Sequence, residues 1–315
     1  MVKVLVVAEV SEEQAKRIRA VSEDMEVVFT RDRAQQAIEI VDTNVVYGGV
    51  NRELFAKAQK LRWVQNLGAG VEGSLFPEFV ASDVILISEK GIVGTHLAEQ
   101  AFALLLALTR GIKRSVLEQT WDNKSAIRAA AWELTGRTMG IVGLGGTGVE
   151  VARRAAAFGM HVIAVDPEPV FKPAFVAEVW GMYRFYDLLA RSDVVAIGAP
   201  LTPQTRGMFN LAVFKRMKST AILLNVTRGP IMDGPSLVQA LQQGLIAGAG
   251  LDVTSEEPLP SDSPLWDMDN VVITPHVAGA SPFRMDRSVD LFCENLQRFL
   301  AGESLKSVID KQKGY

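Results

Sequence analysis

Three side chains in this chain could share acid–base and anion chemistry: Arg228 in NVTRGP, Glu257 in LDVTSEEPLP and His276 in TPHVAG. Each closely follows a short apolar run that reads as a strand. The C-terminal rim of a parallel sheet is where open α/β folds bind their ligands. Taken singly, each has an ordinary explanation: a surface ion pair, a solvated loop acid, a strand-end histidine bonded to a loop. Their convergence on one rim is what a two-electron carbonyl reduction needs. A planar guanidinium can grip a carboxylate and polarise an adjoining carbonyl. An imidazole beside a carboxylate can give and take a proton. The other two histidines are expected to be structural. His161 starts a strand at the end away from this rim, and His96 sits near a helix start as a polar end group.

The same rim needs a positioning scaffold, and Thr138 to Asp166 supplies it: TMGIVGLGGTGVEVARRAAAFGMHVIAVD. An apolar strand (Met139 to Val142) runs into Gly143, Gly145 and Gly148, followed by an alanine-rich helical segment. A second apolar strand (Val162 to Val165) then ends on an acid. This is a βαβ unit of the dinucleotide-binding kind. Gly143 allows the tight turn, Gly145 lets backbone approach a pyrophosphate, and Gly148 lets helix pack on strand. Gly146 and Thr147 lie in the same turn, with Thr147 where an aliphatic residue is usual. The helix N-terminus presents free N–H groups to phosphate. Asp166 can accept both ribose hydroxyls of NAD and repels the 2′-phosphate of NADP. Pro167 and Glu168 follow it, with no adjacent Arg or Lys to receive that phosphate. NAD is expected, and NADP is less favoured.

The gross numbers narrow the class. The chain has 315 residues and a net charge of −3 with both signs interspersed, so neither nucleic acid nor an anionic membrane is an expected partner. The longest apolar runs, such as Ala101 to Leu108, are far short of the ~20 residues a membrane span needs. The N-terminal MVKVLVVAEV reads as a first strand and not as a signal peptide. A lone Cys293 in DLFCENLQRFL is expected as a small buried apolar residue. A cytoplasmic location fits these features, and no metal is expected.

Short apolar strands separated by helix-length segments recur along the whole chain. They begin at VLVVA (Val4 to Ala8) and end at VVITP (Val271 to Pro275). Near-continuous apolar strands of this kind mean parallel sheets buried on both faces. The expected fold is α/β, with two doubly wound domains. A long apolar helix from His96 to Arg110 leads towards the second domain, and an amphipathic helix from Ser288 to Leu300 could carry the chain back. The dinucleotide domain, residues 100–286, would then be inserted into a domain made of 1–99 and 287–315. The helix over AEQAFALLLALTR is apolar on most faces and needs cover, from domain core or from a dimer seam. The loop APLTPQT follows a strand at the rim where cofactors dock.

Beyond these residue-level readings, the chain resembles the D-isomer-specific 2-hydroxyacid dehydrogenases, the group containing glyoxylate/hydroxypyruvate reductases and phosphoglycerate dehydrogenase. The resemblance covers almost the whole chain. It is strongest over LGAGVEG, ELTGRTMGIVGLGGTG, SDVVAIGAPLTPQTRGMFN, LLNVTRGPIMD, ALQQGLIAGAGLDVTSEEPLP and SPLWDMDNVVITPH. It implies a Rossmann domain inserted into a flavodoxin-like substrate domain, and hydride transfer between NAD(H) and a small 2-keto or D-2-hydroxy acid. Arg228 would hold the acid, His276 would be the general acid/base, and Glu257, directly before Pro258, would pair with it. The backbone of Ala69, Gly70 and Val71 would take the substrate carboxylate. Ala199, Pro200, Val226, Thr227, Asp252 and Gly279 would line the cofactor groove. A homodimer is implied. Trp121 and Trp132 lie where the family can reach into a partner's pocket, with packing as the plainer reading.

Two other readings stand beside this one. The resembled family includes NADH-sensing corepressors that act by binding partners, and these are set apart by interaction tails; here the end is the short KSVIDKQKGY. No regulatory domain is expected after Tyr315. A dehydrogenase of amino acids using another base would leave the Arg228, Glu257 and His276 convergence unexplained. The identity of the 2-keto acid is not readable from these motifs.

Overall fold

The computed structural model describes residues 1–315, as two compact units. Met1–Val93 and Ser281–Tyr315 form one, and Gly94–Ala280 the other. The expected cuts after residues 99 and 286 lie a few residues further on, inside the helices Gly94–Thr109 and Arg284–Leu300. No helix is long and apolar enough to cross a membrane.

The first unit is built on strands β1 (Val2–Val6), β2 (Met25–Phe29), β3 (Val45–Tyr47), β4 (Trp63–Gln65) and β5 (Ile85–Ile87). They form a parallel sheet in the order β2-β1-β3-β4-β5, the flavodoxin-like arrangement. Valine and isoleucine dominate these strands because both faces are covered, and the β1, β3 and β4 centres are fully buried. The chain returns to this sheet through the helix Arg284–Leu300, whose buried stripe includes Ser288, Val289, Phe292 and Leu296. Tyr47 stacks on Phe292 at 4.4 Å and donates its hydroxyl to Ser288 Oγ at 2.8 Å. Gln65 Nε2 donates to the Ser288 carbonyl at 3.0 Å. Cys293 is half-buried on this helix, and burial pushes its thiol up to about 11.

The second unit contains β6 (Thr138–Val142), β7 (His161–Val165), β8 (Glu178–Trp180), β9 (Val194–Ile197), β10 (Ile222–Asn225), β11 (Gly248–Leu251) and β12 (Val271–Ile273). All pairings are parallel, and the order is β12-β11-β10-β9-β6-β7-β8. This is the Rossmann order with one strand added. The direction of winding reverses between β6 and β9, which makes the crevice above them the topological switch point. The edge strand β8 is absent from the sequence reading. It is three residues long, half-buried and carries Glu178, so no apolar run announces it.

The helix Gly94–Thr109 belongs to this second unit as core. A Cβ at Gly94 would meet the Gly146 carbonyl at 2.6 Å, and a Cβ at Gly250 would meet Leu104 at 2.8 Å. Phe102 stacks on Phe158 at 5.1 Å. His96, near the start of this helix, is buried.

Candidate active site

The glycine turn after β6 is built by close approach. Gly143 has φ +94, and a Cβ there would lie 2.7 Å from the Ala199 nitrogen, across the switch point. A Cβ at Gly148 would lie 2.0 Å from the Gly143 carbonyl, so the helix Gly146–Ala157 can seat on the strand only without a side chain there. At Gly145 a Cβ would meet nothing within 4 Å, so its outer face is open. No side chain caps the helix that starts at Gly146, and its first N–H groups point at that open face. Gly146 and Thr147 are partly exposed on the same turn.

At the end of β7, Asp166 is tied to this turn. Its Oδ2 accepts the Leu144 N–H at 2.8 Å and its Oδ1 accepts the Glu168 N–H at 2.9 Å. An open glycine face, an uncapped helix start and a fixed carboxylate beside them are the features a dinucleotide needs. The residues present fit that group. Ala199 and Pro200 follow β9 at the switch point, with Ala199 buried and Pro200 exposed.

The loop after β10 carries Val226, Thr227 and Arg228. Asn225, fully buried at the strand end, organises it. Asn225 Oδ1 accepts the Thr227 N–H at 3.0 Å and the Thr227 hydroxyl at 3.1 Å, while its Nδ2 donates to the Arg228 carbonyl at 3.0 Å. Arg228 Nη1 donates to the Thr227 carbonyl at 2.8 Å. The next residue is Gly229, where a Cβ would lie 1.7 Å from the Thr254 carbonyl. That contact holds the Arg228 loop against the loop after β11.

The β11 loop carries Glu257. Its Oε1 accepts the Thr254 N–H at 3.0 Å, and its Oε2 lies 2.7 Å from His276 Nδ1. His276 follows β12 in the left-handed region, at φ +52, a conformation uncommon for non-glycine residues. Its N–H bonds the carbonyls of Asp252 at 2.8 Å and Thr274 at 3.0 Å, which holds it there. With Nδ1 engaged by Glu257, Nε2 is the ring nitrogen that remains for a proton transfer. Asp252 is 1% exposed beneath this loop. Its Oδ1 accepts the Thr274 hydroxyl at 2.6 Å and the Val277 N–H at 3.0 Å; its Oδ2 accepts the Ala278 N–H at 2.8 Å. Asp252 therefore shapes the turn that presents His276 and leads to Gly279. The structure thus brings Glu257 and His276 into direct contact and seats Arg228 on the adjoining loop.

In the first unit, the loop after β4 carries Ala69, Gly70 and Val71. Asn66 Nδ2 donates to Ser74 Oγ at 2.6 Å across its base, and the Ser74 N–H bonds the Val71 carbonyl at 2.9 Å. Trp121 is 86% exposed, so packing is not its role within this chain. Trp132 lies under the Arg137 guanidinium, 3.8 Å from ring centroid to Cζ.

Comparison with known proteins decides the family. A model described as "D-isomer specific 2-hydroxyacid dehydrogenase, NAD binding domain" matches residues 102–278. The chain belongs to the D-isomer specific 2-hydroxyacid dehydrogenase family. A glyoxylate reductase of Korarchaeum cryptofilum is 36% identical over 268 residues, covering 84% of this chain and 80% of that protein. A D-3-phosphoglycerate dehydrogenase of Methanocaldococcus jannaschii is 33% identical over 98% of this chain, and this chain spans 60% of its length. The crystal structure of an NADPH-dependent glyoxylate/hydroxypyruvate reductase from Sinorhizobium meliloti, in complex with NADP and sulfate, superposes with a TM-score of 0.82. It is 27% identical, and the match covers 100% of both chains. Within the 2-hydroxyacid dehydrogenases, the residues that sequence reasoning missed here are Asn225 and Thr254. A polar side chain ending an apolar strand was the available signal for Asn225.

Proposed function

We propose that this 2-hydroxyacid dehydrogenase is an NAD-dependent reductase interconverting small 2-keto acids and D-2-hydroxy acids. The observation that carries the reading is the 2.7 Å contact between Glu257 and His276 beside the Arg228 loop. Gly143, Gly145, Gly146, Thr147 and Gly148 would cradle the dinucleotide, with Asp166 on its ribose. Ala199, Pro200, Val226, Thr227, Asp252 and Gly279 would line its groove, Asp252 chiefly through the loop it shapes. The bound nicotinamide supplies the hydride.

Arg228 holds the substrate carboxylate and draws electron density from the keto carbon through the keto oxygen. The backbone N–H groups of Ala69, Gly70 and Val71 add donors for the same carboxylate. His276 gives the Nε2 proton to the keto oxygen as the carbonyl carbon gains the hydride, and the product is the hydroxyl. Glu257 stabilises the imidazolium before that transfer and fixes the ring's orientation. In the reverse direction neutral His276 takes the hydroxyl proton. Exposed Ile112, Val116, Leu117 and Trp121 support a homodimer, which sedimentation would test. A single half-buried cysteine agrees with a cytoplasmic enzyme.

The experiment is NADH and NADPH oxidation against glyoxylate, hydroxypyruvate, pyruvate, phenylpyruvate and a branched 2-keto acid. Turnover of at least one acid with NADH, abolished in His276→Ala, is the expected result. Silence on every acid with NADH still bound would overturn the reading and point to the sensor class.

A further inference from the structure

The turn that presents His276 is tied to a helix that carries none of the residues assigned above to the cofactor or the acid. Gln100, half-buried on the helix Gly94–Thr109, donates from Nε2 to the Thr274 hydroxyl at 2.9 Å. Thr274 in turn donates that hydroxyl to Asp252 Oδ1 at 2.6 Å. A carboxylate only accepts, so the Thr274 proton goes to Asp252 and the hydroxyl's lone pairs are left for Gln100. The same Asp252 carboxylate receives the N–H groups of Val277 and Ala278, the two residues after His276.

His276 needs such support from outside its own turn. Its φ of +52 is a conformation that side chains rarely adopt, and it persists only where the surroundings over-determine it. Asp252, 1% exposed, gathers a hydroxyl from one side of the histidine and two N–H groups from the other. Of these three donors only the hydroxyl can rotate its proton elsewhere. Gln100 fixes that rotor from a rigid base, because its helix lies close on β11, where a Cβ at Gly250 would meet Leu104 at 2.8 Å.

We propose that Gln100 is a positioning residue for the proton donor, acting through Thr274 and Asp252 on the backbone at His276. This rests on the reading of His276 as the acid that protonates the keto oxygen. By holding the Thr274 hydroxyl on Asp252, Gln100 keeps the carboxylate, and with it the turn, in one place. A reacting group misplaced by about 1 Å can cost about a hundredfold in rate, and losing one restraint among several should cost about tenfold.

The test is NADH oxidation in a single turnover, at a saturating concentration of the 2-keto acid turned over best. This reads the chemical step apart from product release. Gln100→Leu and Gln100→Glu both remove the N–H donor at similar size, and thermal melts show that they fold. Each is expected to lose about tenfold in rate, with half-saturation for the acid within about twofold of wild type. Thr274→Val should lose as much, while Thr274→Ser keeps the hydroxyl and should stay within about twofold. Amide hydrogen exchange at Val277 and Ala278 should quicken in the first three variants and not in Thr274→Ser. Wild-type rates in both Gln100 variants would overturn the proposal, as would an equal loss in Thr274→Ser. A wild-type chain that oxidises NADH with none of the acids fails the reductase reading instead. Unchanged exchange at Val277 and Ala278 in both Gln100 variants then overturns the positioning role by itself.

Discussion

Glu257 holds His276 with one oxygen and its own loop with the other: Oε2 lies 2.7 Å from His276 Nδ1, and Oε1 accepts the Thr254 N–H at 3.0 Å. Both side chains are more than a third exposed, where ion pairs contribute little to stability. Stability therefore does not account for the pair, and a part in proton transfer is the role proposed for it. Glu257→Gln keeps an acceptor for Thr254 and removes the negative charge beside the His276 ring. We expect kcat to fall about a hundredfold or more, within the range of general acid–base contributions. NADH affinity and melting temperature should stay near wild type. Loss of NADH binding in fluorescence titration would show that Glu257 serves the cofactor groove instead.

Gly229 couples two functional loops by having no side chain. A methyl there would press on the Thr254 carbonyl at 1.7 Å, so Gly229→Ala must drive the Arg228 loop and the Glu257 loop apart. Overpacking of this kind costs about 1–3 kcal/mol. The expected variant is folded, with a lowered melting temperature and an activity loss larger than stability alone explains. Wild-type kcat/KM in Gly229→Ala would show that the two loops need not meet.

Much of the frame was legible because it rests on local rules. Glycine spacing, apolar strands and a terminal acid announce the βαβ unit from Thr138 to Asp166, since each residue answers a steric demand within that segment. Strand ends came out two residues too long at Ala8 and Pro275, since β1 stops at Val6 and β12 at Ile273. Less legible were polar residues whose partners are distant in sequence. Asp252 closes on Thr274, Val277 and Ala278, and Glu89 closes on Arg284. His96 shows the same limit, because a helix-start histidine gives no sign that another element will bury it.

Asp193 ties three strand starts and should make stability depend on acid. Its Oδ2 accepts the Thr138 N–H of β6 at 2.8 Å, and its Oδ1 accepts Lys218 Nζ, ahead of β10, at 2.9 Å. Burial pushes the carboxyl up, but the Thr138 bond and the Lys218 ammonium outweigh it and hold it below its ordinary value. A depressed folded-state pKa adds stability that is present above the unfolded value, about 3.9, and is lost as pH falls through the folded value. Asp193→Asn should therefore melt lower than wild type near neutral pH. The gap should close progressively below about pH 4. A gap that is constant from neutral to acid would mean the charge contributes nothing.

Asp166 should set the coenzyme choice. Its two oxygens are fixed by the N–H groups of Leu144 and Glu168, so the carboxylate cannot swing away from a ligand at the end of β7. NADPH would bring a phosphate dianion against that fixed charge, whereas NADH brings a ribose hydroxyl that can donate to it. The solved Sinorhizobium meliloti relative is NADPH-dependent, so the fold alone does not decide the question. We expect kcat/KM to favour NADH over NADPH at least about tenfold, since one such charge contact is worth that much. Asp166→Asn keeps an acceptor on the carbonyl side and removes the charge, so it separates repulsion from loop support. Its NADPH/NADH ratio should rise about tenfold or more, chiefly through KM for NADPH. A wild-type chain that prefers NADPH would place the 2′-phosphate on some other group and remove Asp166 from the role.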